Sequence, residues 1–308
     1  MNQITSSLYF GELSMISAAI CWSIAVITFR SASKELSPYL IAALKNTIAL
    51  FFFIISFLIF DIPLWYDKLI FSDYIKIIIS GILGMGFADI LFIYALSKIG
   101  ANRVAIINSF EPAVVYCFSI AILGTILTLQ QFLGFVVVIA SMLIIAYEKD
   151  NYDIDPLVKK QGMTLQIFAV ILSSFGIVIM KPVLSKVGGD IITQLWLTAF
   201  RLFPGFIIAW LIFLLQKNKS KLLQPLKESH ILWKIIIGSG MGTFIALSFW
   251  IIGYAYIEKP PIASILGQTS VIFIAFLAWL MLNEKISKMR FISMGVAILG
   301  VVLITIKF

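Results

Sequence analysis

Charge is scarce in this chain. Asp, Glu, Lys and Arg together make up 12% of its 308 residues, against 61% hydrophobic residues and a mean hydropathy of +1.06. A soluble domain cannot hide that much apolar surface, so a water-soluble globular fold is excluded. Histidine and cysteine are scarcer still. His230 stands alone at the edge of an apolar stretch, without the second imidazole that a zinc site needs. Cys21 and Cys117 both fall inside apolar stretches, where they serve as small apolar side chains and not as a disulfide framework. No HExxH, GxSxG, Walker-type phosphate loop or paired CxxC occurs. Metal-assisted, acyl-transfer and ATP-driven chemistry lose their support, and no metal or other cofactor is expected. The residues from Met1 to Glu12 carry no Lys or Arg. They lack the positive start of a cleaved signal peptide, and the first span is expected to stay in the mature protein.

What the chain has is ten apolar stretches. A hydrocarbon core about 30 Å thick is crossed by roughly 20 apolar residues in helical form. Stretches of that kind run over 10–29, 38–60, 74–96, 102–124, 130–147, 163–184, 191–215, 231–256, 262–282 and 291–306. They are continuous and do not alternate, and lipid forces every backbone polar group to be satisfied internally. Helices are therefore expected over a β-barrel. The fold class is an all-α polytopic membrane protein. Its net charge of +8 is spread over short loops, so anionic lipid headgroups are a simpler partner than nucleic acid.

The two halves of the chain resemble each other. Gly11-Glu-Leu-Ser-Met-Ile-Ser-Ala-Ala-Ile20 lies over Gly162-Met-Thr-Leu-Gln-Ile-Phe-Ala-Val-Ile171 without a gap, and the same register puts Ser23 on Ser174 and Arg30 on Lys181. Further on, Lys45 falls on Arg201 after a small insertion, and Gly84-Met-Gly86 falls on Gly240-Met-Gly242. The expected organisation is a first five-helix repeat over 1–147, a polar linker over 148–162 that carries Asp150, Asp153, Asp155 and Pro156, and a second five-helix repeat over 163–308. An odd number of spans per repeat makes the second copy enter the membrane in the opposite sense. Inverted repeats of this kind are common in secondary transporters, whose substrate sites lie at the repeat interface near the midplane.

The chain resembles the ten-span EamA-type transporters of the drug/metabolite transporter superfamily. Leu282-Asn-Glu-Lys-Ile-Ser287 is similar to that family's Leu-Gly-Glu-Arg-Leu-Thr signature, and Glu111-Pro112 to its mid-span Glu-Pro. In the first half, Leu123-Gly-Thr-Ile-Leu-Thr128 carries Thr125 in place of the usual Glu. The resemblance implies export or exchange of small metabolites such as amino acids, driven by a gradient and not by ATP. It does not name the substrate. The alternatives are an uncoupled uniporter or solute exchanger and, in a different class, an integral-membrane enzyme acting on lipid. The enzyme would need a carboxylate or histidine cluster near an interface, and only scattered candidates exist.

Ionisable side chains inside spans are costly, which makes each one a functional candidate. Lys45, Asp89, Glu111 and Arg201 are in this position. Lys45 and Arg201 are expected to act in charge pairing within the bundle. Glu111 precedes Pro112, whose missing N–H frees the Asn108 carbonyl, and Asn108 and Glu111 are three residues apart on a helix. This group is able to bind an ammonium or relay a proton. Equally, it marks a kink whose carboxylate pairs with Lys45 or Arg201. Asp89 and Glu111 are the candidate proton carriers. Ser264 and Gln268 share a face of the ninth span, with Thr269 and Ser270 beside them. Trp22, Ser23, Tyr94 and Trp250 complete the expected substrate site as walls around an apolar or cationic solute, while for any one of these aromatics packing is the commoner role. The glycines of the third and eighth spans are read as close-packing positions.

Charge distribution and resemblance disagree on orientation. Most Lys and Arg follow odd-numbered spans: Arg30, Lys34, Lys98, Arg103, Lys149, Lys159, Lys160, Lys217, Lys219, Lys221, Lys227, Lys234, Lys285, Lys288 and Arg290. The opposite side holds Lys68, Lys76, Lys181, Lys186, Lys259 and Lys307. The excess puts the odd loops in the cytoplasm, whereas the resemblance implies cytoplasmic termini. The richness in Ile, Phe and Lys fits an AT-rich, bacterial genome and hence a cytoplasmic membrane.

Overall fold

The computed structural model describes residues 9–66, 68–146, 155–282 and 287–306. Residues 148–154 of the expected linker and 283–286 of the Leu282–Ser287 motif lie outside them. Among the described residues, ten helices are long and apolar enough to cross a membrane: α1 Phe10–Ala32, α2 Pro38–Phe60, α3 Phe71–Ala101, α4 Arg103–Leu123, α5 Leu129–Ala146, α6 Pro156–Val187, α7 Ile191–Leu214, α8 Ser229–Tyr256, α9 Pro260–Leu277 and α10 Lys288–Thr305. Each coincides with one of the ten apolar stretches.

The ends have local causes. α6 starts inside the acidic linker because the Asp155 carboxylate accepts from the Leu157 and Val158 N–H groups, with Pro156 at the first helical position. A capping carboxylate and a proline that needs no N–H partner are a strong start signal even where the sequence is polar. α4 ends at Gly124 and α6 at Gly188, both at positive φ (65° and 64°), the backbone that glycine adopts freely.

Four helices are irregular, and they correspond in pairs between the repeats. α3 contains a π-helical segment, Gly81–Ala88, and α8 contains another, Ser239–Ala246. These segments hold the Gly84-Met-Gly86 and Gly240-Met-Gly242 motifs. The Met85 carbonyl in the first accepts from the Asn46 amide of α2 at 3.3 Å. α4 is interrupted after Asn108 and resumes at Glu111, and α9 is interrupted after Gly267 and resumes at Ser270.

Packing follows the same symmetry. α1 lies against α8 and α9 of the other repeat, while α6 lies against α3 and α4. α2 packs on α7, α4 on α9, and α5 on α10, each helix meeting its own counterpart. A two-fold relation between inverted halves produces this pattern. Glycines allow the closest approaches: a Cβ on Gly81 would sit 2.1 Å from the Arg201 carbonyl oxygen of α7, and one on Gly242 would sit 2.5 Å from the Ala25 Cβ of α1. Large apolar side chains such as Phe51, Leu58, Leu133 and Leu299 remain exposed on the outer faces, where lipid covers them.

Basic side chains from α1 and α6 do equivalent work. Arg30 donates to the Leu96 and Ser97 carbonyls at 2.8 and 3.0 Å. Lys181 donates to those of Tyr254 and Ile257 at 2.6 and 2.7 Å. Each closes the free carbonyls where the irregular third helix of a repeat ends. Ion pairs also join the repeats near the helix ends. Glu35, after α1, meets Lys234 at 2.8 Å and His230 at 3.0 Å, both at the start of α8. Lys186, at the end of α6, meets Asp73 at the start of α3 at 2.7 Å. The two contacts occupy corresponding positions with the charges reversed, and the inverted topology puts them at opposite ends of the bundle.

Candidate functional site

The irregular helices meet around a central cavity. Its walls are Ala18, Ala19 and Trp22 of α1, Lys45 of α2, Gly84, Met85, Ala88, Asp89 and Phe92 of α3, and Asn108 and Glu111 of α4. From the second repeat come Gln166, Ala169, Val170 and Ser173 of α6, Gly242, Thr243, Ala246, Leu247 and Trp250 of α8, and Ser264, Gly267, Gln268 and Ser270 of α9. About 160 Å³ is open to the centres of water molecules. That is room for on the order of ten waters.

Local geometry explains how polar groups reach the cavity. Each π segment packs its turns more widely than an α-helix and places small residues there, so backbone approaches the space without filling it. Such segments occur frequently at functional sites. The interruptions of α4 and α9 leave helix ends in the middle of the bundle and present Glu111 and Gln268 to each other. The Gln268 amide donates to the Glu111 carboxylate at 2.7 Å. Beside them the Gln166 amide donates to the Asn108 side-chain oxygen at 2.6 Å. A carboxylate, three amides and the Ser264 hydroxyl therefore line one region, drawn from α4, α6 and α9. No ion pair among the described residues includes Glu111.

Across the cavity, Lys45 and Asp89 form a buried ion pair at 2.5 Å. Arg201 stands behind this wall on α7, fully buried. Its Nε donates to the Ser80 hydroxyl at 2.8 Å, and its guanidinium lies 5.4 Å from the centre of the Trp250 ring. Arg201 has no direct ion-pair partner among the described residues, although the field of Asp89 reaches it. Asp89 is taken by Lys45, and no described carboxylate lies within 4.0 Å of the guanidinium.

Of the residues singled out in the sequence, Trp22, Lys45, Asp89, Asn108, Glu111, Trp250, Ser264 and Gln268 come together on the cavity wall. Ser23 and Tyr94 do not. Ser23 follows Trp22 by one residue, about 100° around the helix, and its hydroxyl folds back to the Ile20 carbonyl at 2.6 Å. Tyr94 lies five residues beyond Asp89, about 140° around α3, and instead meets the Tyr39 ring at 6.0 Å with Lys98 above it. Gln166, Thr243 and Phe92 were not singled out. Gln166 had a visible signal as a lone amide within an apolar span. The other two have none that separates them from packing residues. The grouping of Glu35, Glu228 and His230 is the one cluster of possible metal ligands among the described residues. It is exposed, is not part of the cavity wall, and is already engaged by Lys234.

Comparison with known proteins agrees with this architecture. A solved structure described only as "Crystal structure of protein" has the same fold, with a TM-score of 0.76 at 14% identity and 96% of each chain covered. No curated protein matches the chain. The description of the EamA-like transporter family matches it twice, over residues 9–147 and again over 160–306. Each match takes in one five-helix repeat, and together they span nearly the whole sequence, so the chain belongs to the EamA-like transporter family and is a multi-pass membrane transporter of the drug/metabolite superfamily.

Proposed function

We propose that the chain is a secondary transporter of small polar or amphipathic metabolites, amino acids among them, working as an exporter or exchanger in a bacterial cytoplasmic membrane. The observation that carries this reading is the cavity where the two inverted repeats meet, walled by both and bordered by four interrupted or π-helical segments. Broken helices at a repeat interface are the usual substrate site of such folds, and rocking of one repeat against the other exposes that site to each side in turn. The Glu35–Lys234/His230 pair suits such motion, since ion pairs open to water contribute little and break readily.

Glu111 fits the role of proton carrier better than Asp89. Asp89 is matched with Lys45, whereas the partner of Glu111 is the neutral Gln268 amide, which tolerates both the carboxylate and the carboxylic acid. Asn108, Gln166, Ser264 and Gln268 serve as polar contacts for the solute, with Trp22 and Trp250 as its apolar walls.

The test is transport by purified protein in liposomes. A defined metabolite mixture is offered with and without a pH gradient, and accumulated solutes are identified by mass spectrometry. Enrichment over empty liposomes, enhanced by the gradient, is expected. Glu111→Gln should remove the gradient dependence while the protein stays folded. Coupling that persists in this variant refutes the proton role, and a wild-type protein that enriches nothing refutes the reading as a whole.

A further inference from the structure

Among the described residues around the cavity whose buried polar atoms lack a partner, Gln166, Thr243, Ser264 and Arg201 among them, Arg201 is the charged one. Its guanidinium is fully buried, and neither Nη1 nor Nη2 has a hydrogen-bond partner. A guanidinium offers five N–H donors, and only Nε is used, on Ser80. Asp89 supplies counter-charge at a distance, but a buried guanidinium with unmet N–H donors is a costly arrangement to keep, more so at membrane depth.

The surroundings show where the missing acceptor belongs. Nη2 lies 2.6 Å from the point where a Cβ on Gly84 would stand. Trp250 lies under the guanidinium at 5.4 Å. Both Gly84 and Trp250 line the cavity, so the guanidinium sits directly behind that wall, closed off from the solute space in this conformation. Trp250 also reaches the other polar region, since its Nε1 lies 3.7 Å from the position of a Cβ on Gly267, next to Gln268. The cavity therefore has an acidic region at Glu111 and, behind its wall, a guanidinium at Arg201, with the Trp250 ring between them.

Resting on the transport reading above, we propose that Arg201 is the anion subsite of the cavity and that the transported solute carries a carboxylate, which docks on Nη1 and Nη2 when the wall at Gly84 and Trp250 shifts during the transport cycle. The planar fork of a guanidinium matches a carboxylate with two parallel hydrogen bonds. Glu111 and its amides remain for a cationic or hydrogen-bonding group on the same solute. The transporter selects small amino acids and related carboxylates against amines of equal size that lack the acid group.

The experiment offers liposomes containing the wild-type chain, Arg201→Gln, Arg201→Lys or Gly84→Ala an equimolar mixture of proteinogenic amino acids and the amines left when their carboxyl groups are removed. The readout is the ratio of acid to matched amine taken up. The wild type should favour acids by at least about tenfold, because a site built around hydrogen-bonding groups rejects analogues that leave them unmet. Arg201→Gln should bring the ratio close to one. Arg201→Lys should retain part of the preference, having the charge without the fork. Gly84→Ala should lower acid uptake with Arg201 still present. An unchanged ratio in Arg201→Gln overturns the assignment, as does a wild-type preference for amines. If Arg201→Gln does not fold, unchanged ratios in both other variants overturn it. A wild type that moves neither acids nor amines refutes the transport reading and this subsite with it. A wild type that moves acids, with Arg201→Gln equally active and selective, refutes the subsite alone.

Discussion

Asp89 should be harder to replace than Lys45, although the two are partners in one ion pair. Both are buried, at 9% and 2% exposure, and joined at 2.5 Å. Removing one member of a buried pair leaves an uncompensated charge and costs about 3–5 kcal/mol. Here the two losses are unequal, because the field of Asp89 also reaches Arg201. Lys45→Met leaves Asp89 a second cation to turn toward, so its cost should fall at or below the lower end of that range. Asp89→Asn strips counter-charge from Lys45 and Arg201 together and should reach the upper end. The double replacement Lys45→Met with Asp89→Leu removes both charges and should recover most of the loss, as apolar substitutes for buried pairs do. The assay is thermal unfolding of detergent-solubilised protein. A loss of this size lowers the midpoint by on the order of 10 °C. Equal effects of the two single changes refute the shared role of Asp89. A double variant as unstable as the sum of the singles refutes the ion pair as an energetic unit.

Other expectations are simpler. Gly81→Ala drives a Cβ to 2.1 Å from the Arg201 backbone oxygen and should destabilise by about 1–3 kcal/mol, whereas Gly295→Ala, with nothing within 4 Å, should leave the unfolding midpoint unchanged; similar midpoints for the two would refute close α3–α7 packing. Lys181→Met leaves the Tyr254 and Ile257 carbonyls unmet and Arg30→Gln weakens the bonds to Leu96 and Ser97, so each should lower stability by about 1–3 kcal/mol, seen as faster hydrogen exchange at the ends of α8 and α3 respectively. Hydrogen bonds from Lys234 and then His230 hold the exposed Glu35 carboxyl below the ordinary carboxylate range. Its contribution is therefore complete above the unfolded value of about 4.3 and is lost as pH falls through the lower folded value. The unfolding midpoints of wild type and Glu35→Gln should differ near neutral pH and converge in acid. A difference that persists in acid would show that Glu35 acts by other means.

The two π segments show where reading the sequence stops short. Gly84-Met-Gly86 and Gly240-Met-Gly242 were visible as matching small-residue motifs, and small residues do permit the close contacts at Gly81 and Gly242. Glycine spacing does not reveal that hydrogen bonding widens there, nor that the Met85 carbonyl meets Asn46 of another helix. Pro112 likewise signalled a fault in α4, and Gln268 a polar position in α9. Their meeting across the cavity, 157 residues apart in sequence, comes from α4 packing on α9. Tyr94 and Ser23 lie off the cavity wall for a related reason, since a span's polar and aromatic residues do not say which face the bundle turns inward.

The sequence by itself determined that the chain crosses a membrane ten times as helices, because hydrocarbon admits no other pattern for continuous apolar runs of this length. It also determined the inversion of the halves, because five crossings per repeat leave the second copy facing the other way. Tertiary structure alone decided which ionisable groups are matched. Lys45 finds Asp89, Glu111 finds an amide, and Arg201 is left with free donors beside a glycine. Composition gives the number of charges inside the membrane, but their partners depend on distances of a few ångströms between helices far apart in the chain, where the low dielectric makes every such distance count.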